Sequence, residues 1–467
     1  MKIVIVGDGK VGYNIAKQLL AEGHDIVVID NNPDVLEDSL HKLDVLVVDG
    51  NGVTLQTQEE ADVANSDLLI AATSADEINL LCCILAKKLG CRHTICRMSN
   101  PDYVQSIQYM RDDFGLSMTV NPELTAAREI FRILQFPSFL KRDTFAKGRV
   151  EIVELKLTEN CALVGKRLER LSDVLRGVKI LVCAVERGDE VCIPDGSFEL
   201  RANDKITVTA PRSELVKMLK ALKISNQKIR DVLIIGGSKI AVYLAEELIK
   251  SGVNVKIIEQ KLEKCRALSE RLPSAVIING DGTLQDLLSS EGIEETDAVI
   301  SLTNIDEENL VISMYADSCG VPKSITKINR TEYLRLFKDR DIGSVICPKM
   351  LASYEIIRYV RAMDNTTGGS VKTMYRIVDE KVEALEFAVT DSTKCIGEPL
   401  KKVNLKNNIL LACINRMGKV IIPSGNDYIM AGDTIIVITT AEGMYKDIND
   451  ILSLIHISEP TRPISIS

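Results

Sequence analysis

IVIVGDGKVGYNIAKQL at residues 3–19 and VLIIGGSKIAVYLAEEL at 232–248 are two versions of one segment. Gly7 and Gly236 lie 229 positions apart, as do Asp30 and Glu259, Pro194 and Pro423, Gly196 and Gly425, and Asp204 and Asp433. Thr73-Ser-Ala-Asp-Glu-Ile-Asn79 and Thr303-Asn-Ile-Asp-Glu-Glu-Asn309 are offset by 230. The chain is a tandem duplication of a unit that itself has two parts. Self-similarity at a fixed offset decides architecture ahead of any local signal. It also weighs against the plainest enzyme layout, in which one nucleotide domain serves one substrate domain.

Working outward, apolar β-branched runs alternate with helical stretches. They are KIVIVG (2–7), DIVVID (25–30), DVLVVD (44–49), DLLIAAT (67–73) and HTICRM (93–98). The second half repeats them as DVLIIG (231–236), NVKIIE (254–259), AVIINGD (275–281), DAVISLT (297–303) and KSITKI (323–328). Such runs suit parallel strands buried on both faces, and strand–helix alternation implies right-handed crossovers. After each series a proline opens a helix, Pro122 in one case and Pro348 in the other. Proline suits the first helical turn, where its missing N–H is not needed. Short β-rich segments follow, with RGDE and RMGK between strand-like runs as hairpin turns.

The expected class is α/β: two tandem Rossmann-like, doubly wound parallel sheets, each followed by a small β-rich α+β lobe. The boundaries are a Rossmann lobe at 1–120, a crossover helix and hinge at 121–150, a small lobe at 151–212 and a linker at 213–229. A second Rossmann lobe at 230–346, a second crossover helix and hinge at 347–375 and a second small lobe at 376–450 follow. The tail at 453–467 has no counterpart after the first repeat. It is expected to be foreign to the natural coding sequence and carries no functional argument.

Composition supports several packed domains. At about 100–200 residues per domain, 467 residues make three or four. Net charge is −9, without the basic footprint of a nucleic-acid partner. Lys217, Lys220, Lys223, Lys228 and Arg230 read as a solvated helix face. The twelve cysteines are scattered through apolar runs with no metal spacing, as buried thiols in a reducing cytosol would be. No leader is expected before the first strand, and no apolar run approaches the ~20 residues of a membrane span.

Gly7-Asp8-Gly9-Lys10-Val11-Gly12 follows a strand, opens a helix, and is followed by Asp30 at the end of the next strand. That is the full context of a dinucleotide fingerprint. Gly7 permits the tight turn, Gly9 the approach of the pyrophosphate, and Gly12 close helix–strand packing. The phosphates meet the free N–H groups of the helix N-terminus. Asp30 accepts from ribose hydroxyls and repels a 2′-phosphate, which favours NAD(H) over NADP(H). The second loop, Gly236-Gly237-Ser238-Lys239-Ile240-Ala241, departs from the pattern at Ser238 and Ala241, while Glu259 keeps the ribose acid. Ser238 adds a side chain where phosphate should approach.

Thr73 and Thr303 head the second motif. It reads as a capping box, and it also sets Thr73 and Ser74 at the carboxyl edge of the sheet beside a cofactor. Arg97 ends the fifth strand, where it meets a phosphate charge, and Lys327 is its counterpart. His24, His41, His93 and His456 have no obvious carboxylate partner and read as surface residues. No acid or base for hydride transfer emerges.

The order GxGxxG–Asp–GNG–TSxDExN–Arg–x5–Tyr103 and then a small β-rich module, all of it twice, resembles the tandem RCK (regulator of potassium conductance) family of Trk potassium-uptake regulatory proteins. GGSKIA, GDGT (280–283), LTNIDEEN (302–309) and KINRTEY (327–333) carry the likeness in the second half, and it spans residues 1–450. The resemblance implies a cytosolic regulatory subunit, peripheral on the inner face of the membrane, that gates a Trk-type potassium transporter. It implies NAD(H) in the first Rossmann lobe, and NAD(H) or an adenine nucleotide (ATP or ADP) in the second. It also implies a homo-oligomer, a tetrameric ring, and no catalysis. The alternative is a soluble NAD-dependent dehydrogenase, which would need a substrate cleft and a catalytic acid or base.

Overall fold

In the computed structural model, β1 (Lys2–Val6), β2 (Asp25–Asp30), β3 (Leu46–Asp49), β4 (Leu68–Ala71), β5 (His93–Arg97) and β6 (Met118–Val120) form one parallel sheet. Its order is β3-β2-β1-β4-β5-β6. Helices α1 (Lys10–Ala21), α2 (Pro33–Lys42), α3 (Leu55–Glu60), α4 (Asp76–Leu89) and α5 (Val104–Tyr109) make the connections. Apolar side chains fill both faces, so Ile3 to Val6 and all of β4 are buried. The strand order reverses between β1 and β4, and a crevice opens there at the carboxyl ends. α6 (Pro122–Gln135) follows, with the Asn121 side chain accepting from the Leu124 N–H at 2.9 Å.

A five-stranded sheet comes next: β7 (Lys141–Phe145), β8 (Val150–Lys156), β9 (Leu181–Arg187), β10 (Glu190–Cys192) and β11 (Lys205–Ala210), in the order β10-β9-β11-β8-β7. It carries α7 (Leu171–Leu175) and α8 (Arg212–Ala221). The second parallel sheet has β12 (Asp231–Ile235), β13 (Asn254–Glu259), β14 (Val276–Asn279), β15 (Ala298–Ser301), β16 (Lys323–Lys327) and β17 (Ser344–Ile346). Its order, β14-β13-β12-β15-β16-β17, repeats the first. Its helices are α9 (Lys239–Lys250), α10 (Leu262–Arg271), α11 (Gln285–Ser290), α12 (Asp306–Ser318) and α13 (Pro348–Asn365). Last come β18 (Val371–Ile377), β19 (Val382–Ala388), β20 (Ile409–Arg416), β21 (Lys419–Ile421) and β22 (Thr434–Thr440), ordered β18-β19-β22-β20-β21. The structure describes residues 1–145, 150–224, 228–330, 343–365, 371–378, 381–440, 445 and 447–453. The tail from 454 and residues 331–333 of the KINRTEY run lie outside them.

The compact units do not follow the two repeats. One unit is Met1–Lys141 with Ser225–Val360, and the other is Arg142–Ile224 with the chain from Arg361. In the first unit each Rossmann lobe is covered by the other lobe's trailing helix. Ala126, Ala127, Ile130, Ile133 and Leu134 of α6 share a core with Ile240, Leu244 and Leu248 of α9. Ala352, Ile356, Ile357 and Val360 of α13 share a core with Val11, Ile15 and Leu19 of α1. Thr125 Oγ1 donates to Glu355 at 3.0 Å, and Asn121 Nδ2 donates to the Tyr243 hydroxyl at 3.0 Å. Both exchanged helices present apolar residues at three- and four-residue spacing, so burial of that stripe ties lobe to lobe. Ile130 has no exposed surface. Ile130→Ala is therefore expected to destabilise the protein by about 2–5 kcal/mol, read by urea denaturation.

In the second unit the two small sheets share a core of Val150, Ile152, Cys183 and Ala184 with Val382, Ala384, Ala412 and Cys413. The repeat-spaced aspartates have a plain structural reason. Asp204 takes a bidentate pair of bonds from Arg187, both at 2.8 Å, and Asp433 is held likewise by Arg416. All twelve cysteines are free thiols and nine are buried. Among the described residues no helix is long and apolar enough to cross a membrane.

Candidate functional site

The first loop is built by three glycines with three different reasons. Gly7 has φ of +96°, and a Cβ there would meet the Thr73 backbone at 2.9 Å. A Cβ on Gly12 would stand 1.8 Å from the Gly7 carbonyl oxygen. Gly9 differs: a Cβ there would have nothing within 4 Å. It is the N-cap of α1, with no side-chain cap, so the helix N–H groups face open space. Val11 is core, leaving only its backbone to the site.

Asp30 stands beside this opening. Its Oδ2 accepts from the Asp8 N–H at 2.6 Å and its Oδ1 from the Asn32 N–H at 2.9 Å. Each oxygen keeps a lone pair for a ribose hydroxyl. The second lobe copies the clamp: Glu259 accepts from Gly237 N–H at 2.9 Å and from Lys261 N–H at 2.8 Å. Gly236 has φ of +101° against Leu302 and Thr303, as Gly7 does against Thr73. The Ser238 hydroxyl turns onto its own helix and accepts from the Ala241 N–H at 3.4 Å. The second loop thus engages a helix N–H that the first leaves free. Ile240 is core, as Val11 is.

The TSxDExN motif is a brace and not the expected capping box. The N-cap of α4 is Ala75, with no side-chain cap, and Ile305 occupies that place on α12. Thr73 Oγ1 bonds instead to Asn79 at 2.7 Å. Asn79 Nδ2 donates to the Thr73 and Arg97 carbonyls at 3.1 and 3.0 Å, joining the two loops that follow β4 and β5. Asn309 makes the same links to Thr303 and Lys327. Asp76 and Asp306 accept from the backbone N–H groups of Ser99 and Asn100, and of Asn329 and Arg330. Ser74 is left exposed at the rim. Asn79 and Asn309 carry this geometry and were legible in the motif only as repeated letters.

Arg97 donates to the Thr73 carbonyl at 3.1 Å and approaches Glu123 at 3.8 Å, while its buried Nε has no partner. Its counterpart Lys327 is buried, and that burial pushes its pKa down to about 8 against the help of Asp306 and Glu123. The helix-opening lysines reach across to the opposite lobe. Lys239 Nζ donates to Ser99 Oγ at 2.9 Å. Lys10 lines a cleft of about 320 Å³ with Asn304, Asp306, Glu307, Asn329 and Arg330 of the second lobe and Lys349 of α13. Burial first, and then Lys10, lowers the Lys349 pKa. Sequence reasoning missed Lys349 and Arg330. The signal for Lys349 was its place right after Pro348, where the first repeat has Glu123 after Pro122.

The arrangement fits a dinucleotide: open space over Gly9, free helix N–H groups, a carboxylate clamped beside the loop at Asp30, and the partnerless Nε of Arg97. Among the described residues no histidine joins it, and His456 lies outside them. His24 is buried beside the chain's first amino group, and His93 contacts Ser117. His41 has a carboxylate partner after all, Glu37 at 3.6 Å on α2. The expectation of surface histidines without partners is corrected at His24 and His41, though neither lies at the loop. Among the described residues no cluster could hold a metal ion.

Residues 3–122 and 232–348 match the TrkA-N domain, and 152–223 and 384–449 match the TrkA-C domain. The chain is 34% identical to the Trk system potassium uptake protein TrkA homolog 1 of Methanosarcina mazei, over 94% of this chain and 98% of that protein. Among solved structures, the GsuK RCK domain matches with a TM-score of 0.61 at 17% identity, covering 94% of this chain and 92% of that one. The GsuK channel bound to NAD also matches at 0.61, with 16% identity and coverage of 94% and 77%. At such identity these two likenesses concern the fold, which is that of tandem RCK units.

Proposed function

This chain belongs to the TrkA family of Trk system potassium uptake proteins, and from that premise we propose that it is a nucleotide-binding regulatory subunit of potassium transport. Its ligand in the first lobe is NAD(H), held by Gly7, Gly9, Gly12 and the Asp8–Lys10–Val11 backbone, with Asp30 on the ribose and Thr73, Ser74 and Arg97 at the rim. The second lobe takes NAD(H) or an adenine nucleotide at Gly236, Gly237, Ser238, Lys239, Ile240, Glu259 and Thr303. It binds a dinucleotide more weakly, because Ser238 already caps the helix.

The observation that carries this reading is the reach of Lys10 and Lys239 across the lobe boundary. A ligand seated on either loop touches both lobes. It therefore binds differently to two arrangements of the lobes, which is the condition for shifting a conformational equilibrium. The protein binds the cofactor without turning it over. It works as a homo-oligomer, a tetrameric ring, on the cytosolic face of a Trk-type membrane transporter, whose potassium flux it sets.

Asp30 supplies the test of ligand class. The full chain is expected to bind NADH more tightly than NADPH in calorimetric titration. Asp30→Ala should weaken NADH about ten- to a hundredfold, the loss of bonds to a charged acceptor, and narrow that preference. NADPH bound equally well by the parent protein overturns the ribose assignment. Consumption of NADH with candidate substrates would favour a dehydrogenase instead.

A further inference from the structure

Asp8 is an acid that the fingerprint does not require. It lies between Gly7 and Gly9 and is 2% exposed. Neither carboxylate oxygen makes a hydrogen bond of good geometry. The groups around it are Asp30 from β2 and, on α2, Ser39 and Asp38, the last exposed and paired with Lys42 at 3.1 Å. Lys10, two residues on, has its side chain in the cleft toward the second lobe. An ionised Asp8 would thus sit buried beside the Asp30 carboxylate, with only the Ser39 hydroxyl to offset it.

The second lobe provides an internal control. Gly237 stands in place of Asp8, Leu268 in place of Ser39 and Ala267 in place of Asp38, each 229 residues on. A Cβ on Gly237 would meet Leu268 at 2.6 Å and Glu259 at 3.0 Å. The acid and both of its polar neighbours on α2 are replaced together, while the ribose carboxylate clamp is the same in both lobes.

We propose that Asp8 couples proton concentration to nucleotide occupancy of the first lobe: the neutral side chain admits the phosphates and the ionised one opposes them. This rests on the nucleotide reading given above. The pyrophosphate would approach at Gly9, the next residue, so a negative charge on Asp8 acts at short range. Burial, only partly offset by Ser39, with Asp30 and Asp38 adding to it, pushes the Asp8 pKa up to about 6. The change of charge thus falls close to neutrality. A bound polyanion raises that pKa further, so by linkage acid strengthens binding and alkali weakens it. The second loop has Gly237 at that position, and its affinity does not follow this titration.

Folding carries the same signature with a definite sign. A carboxyl whose pKa is raised in the folded state holds its proton longer there than in the unfolded chain. Its contribution to stability is therefore greatest below the ordinary carboxylate range and is lost as pH rises toward about 6.

The test uses the full chain carrying Ser238→Asp, which puts a negative charge at the second loop so that NADH reports on the first. NADH affinity is measured by calorimetry at about pH 5.5 and about pH 7.5, with Asp8→Asn as the permanently neutral isostere. The parent background should lose about sixfold in affinity across that range, as one unit of pKa change on binding dictates, and Asp8→Asn should stay within about twofold. The melting temperature of Asp8→Asn should also gain on that of the parent as pH rises from about 4 to about 6.5. Parallel affinity profiles for parent and Asp8→Asn, with NADH bound by both, overturn the proton coupling and leave the nucleotide reading standing. NADH bound by neither at either pH overturns both.

Discussion

Gly9→Asp should abolish nucleotide binding at the first lobe without harming the fold. The position has φ of −65° and ψ of 178°, a conformation open to any L-residue. A Cβ there would meet nothing within 4 Å. Aspartate is also a favoured N-cap, so the helix would be held as well as before or by a few tenths of a kcal/mol better. The same carboxylate occupies the N–H groups that a pyrophosphate needs and repels its charge. NADH affinity should fall by on the order of a hundredfold or more, with an unchanged melting temperature in the absence of ligand. In vesicles holding the transporter, the nucleotide-dependent part of potassium flux should disappear with it. If binding is lost and that flux stays nucleotide-dependent, the first lobe is not the sensor. Flux that ignores the protein altogether rejects the regulatory reading.

The second large effect concerns the fold. Cutting the chain between its repeats should not release two stable monomers. Residues 1–224 alone would expose the α6 stripe of Ala126, Ile130, Ile133 and Leu134, and would uncover Val11, Ile15 and Leu19 on α1, which α13 normally covers. Both faces are apolar and too large to leave in water. The repeats are alike, so α6 of one copy can seat on α1 of another. Light scattering should find residues 1–224 as a dimer or larger species, and co-expression with residues 225–467 should restore a one-to-one complex. A monomeric 1–224 that melts cooperatively would show that the exchanged helices are dispensable.

The duplication, the two doubly wound parallel sheets and the reason for each glycine in the first loop are short-range matters. A φ of +96° at Gly7, or a Cβ colliding with the carbonyl five residues back at Gly12, concerns neighbours in the chain, so residue type and spacing announce it. Asp30 was legible for another reason: its partner Asp8 lies 22 residues back, but an acid ending the second strand is part of the dinucleotide fingerprint itself. Asp76, Asp306, Asn79 and Asn309 were visible as a pattern but not as a brace, because their partners lie 18 to 24 residues on, across a helix and a strand.

Two features were decided only when the chain closed on itself. The first is the choice of partner for α6 and α13. Each has an apolar stripe that would fit α1 or α9, because the repeats are similar, and periodicity says that a face is buried without saying against what. Long-range packing resolves that degeneracy and gives each lobe the other's helix, which brings Lys10, Arg330 and Lys349 to one cleft. The second is the state of Asp8. In the sequence it is one more polar letter in a glycine loop, indistinguishable from a solvated acid. Its burial depends on α2 lying over the loop with the buried Ser39 beside it, and desolvation is a property of everything that surrounds a group, not of its neighbours in sequence.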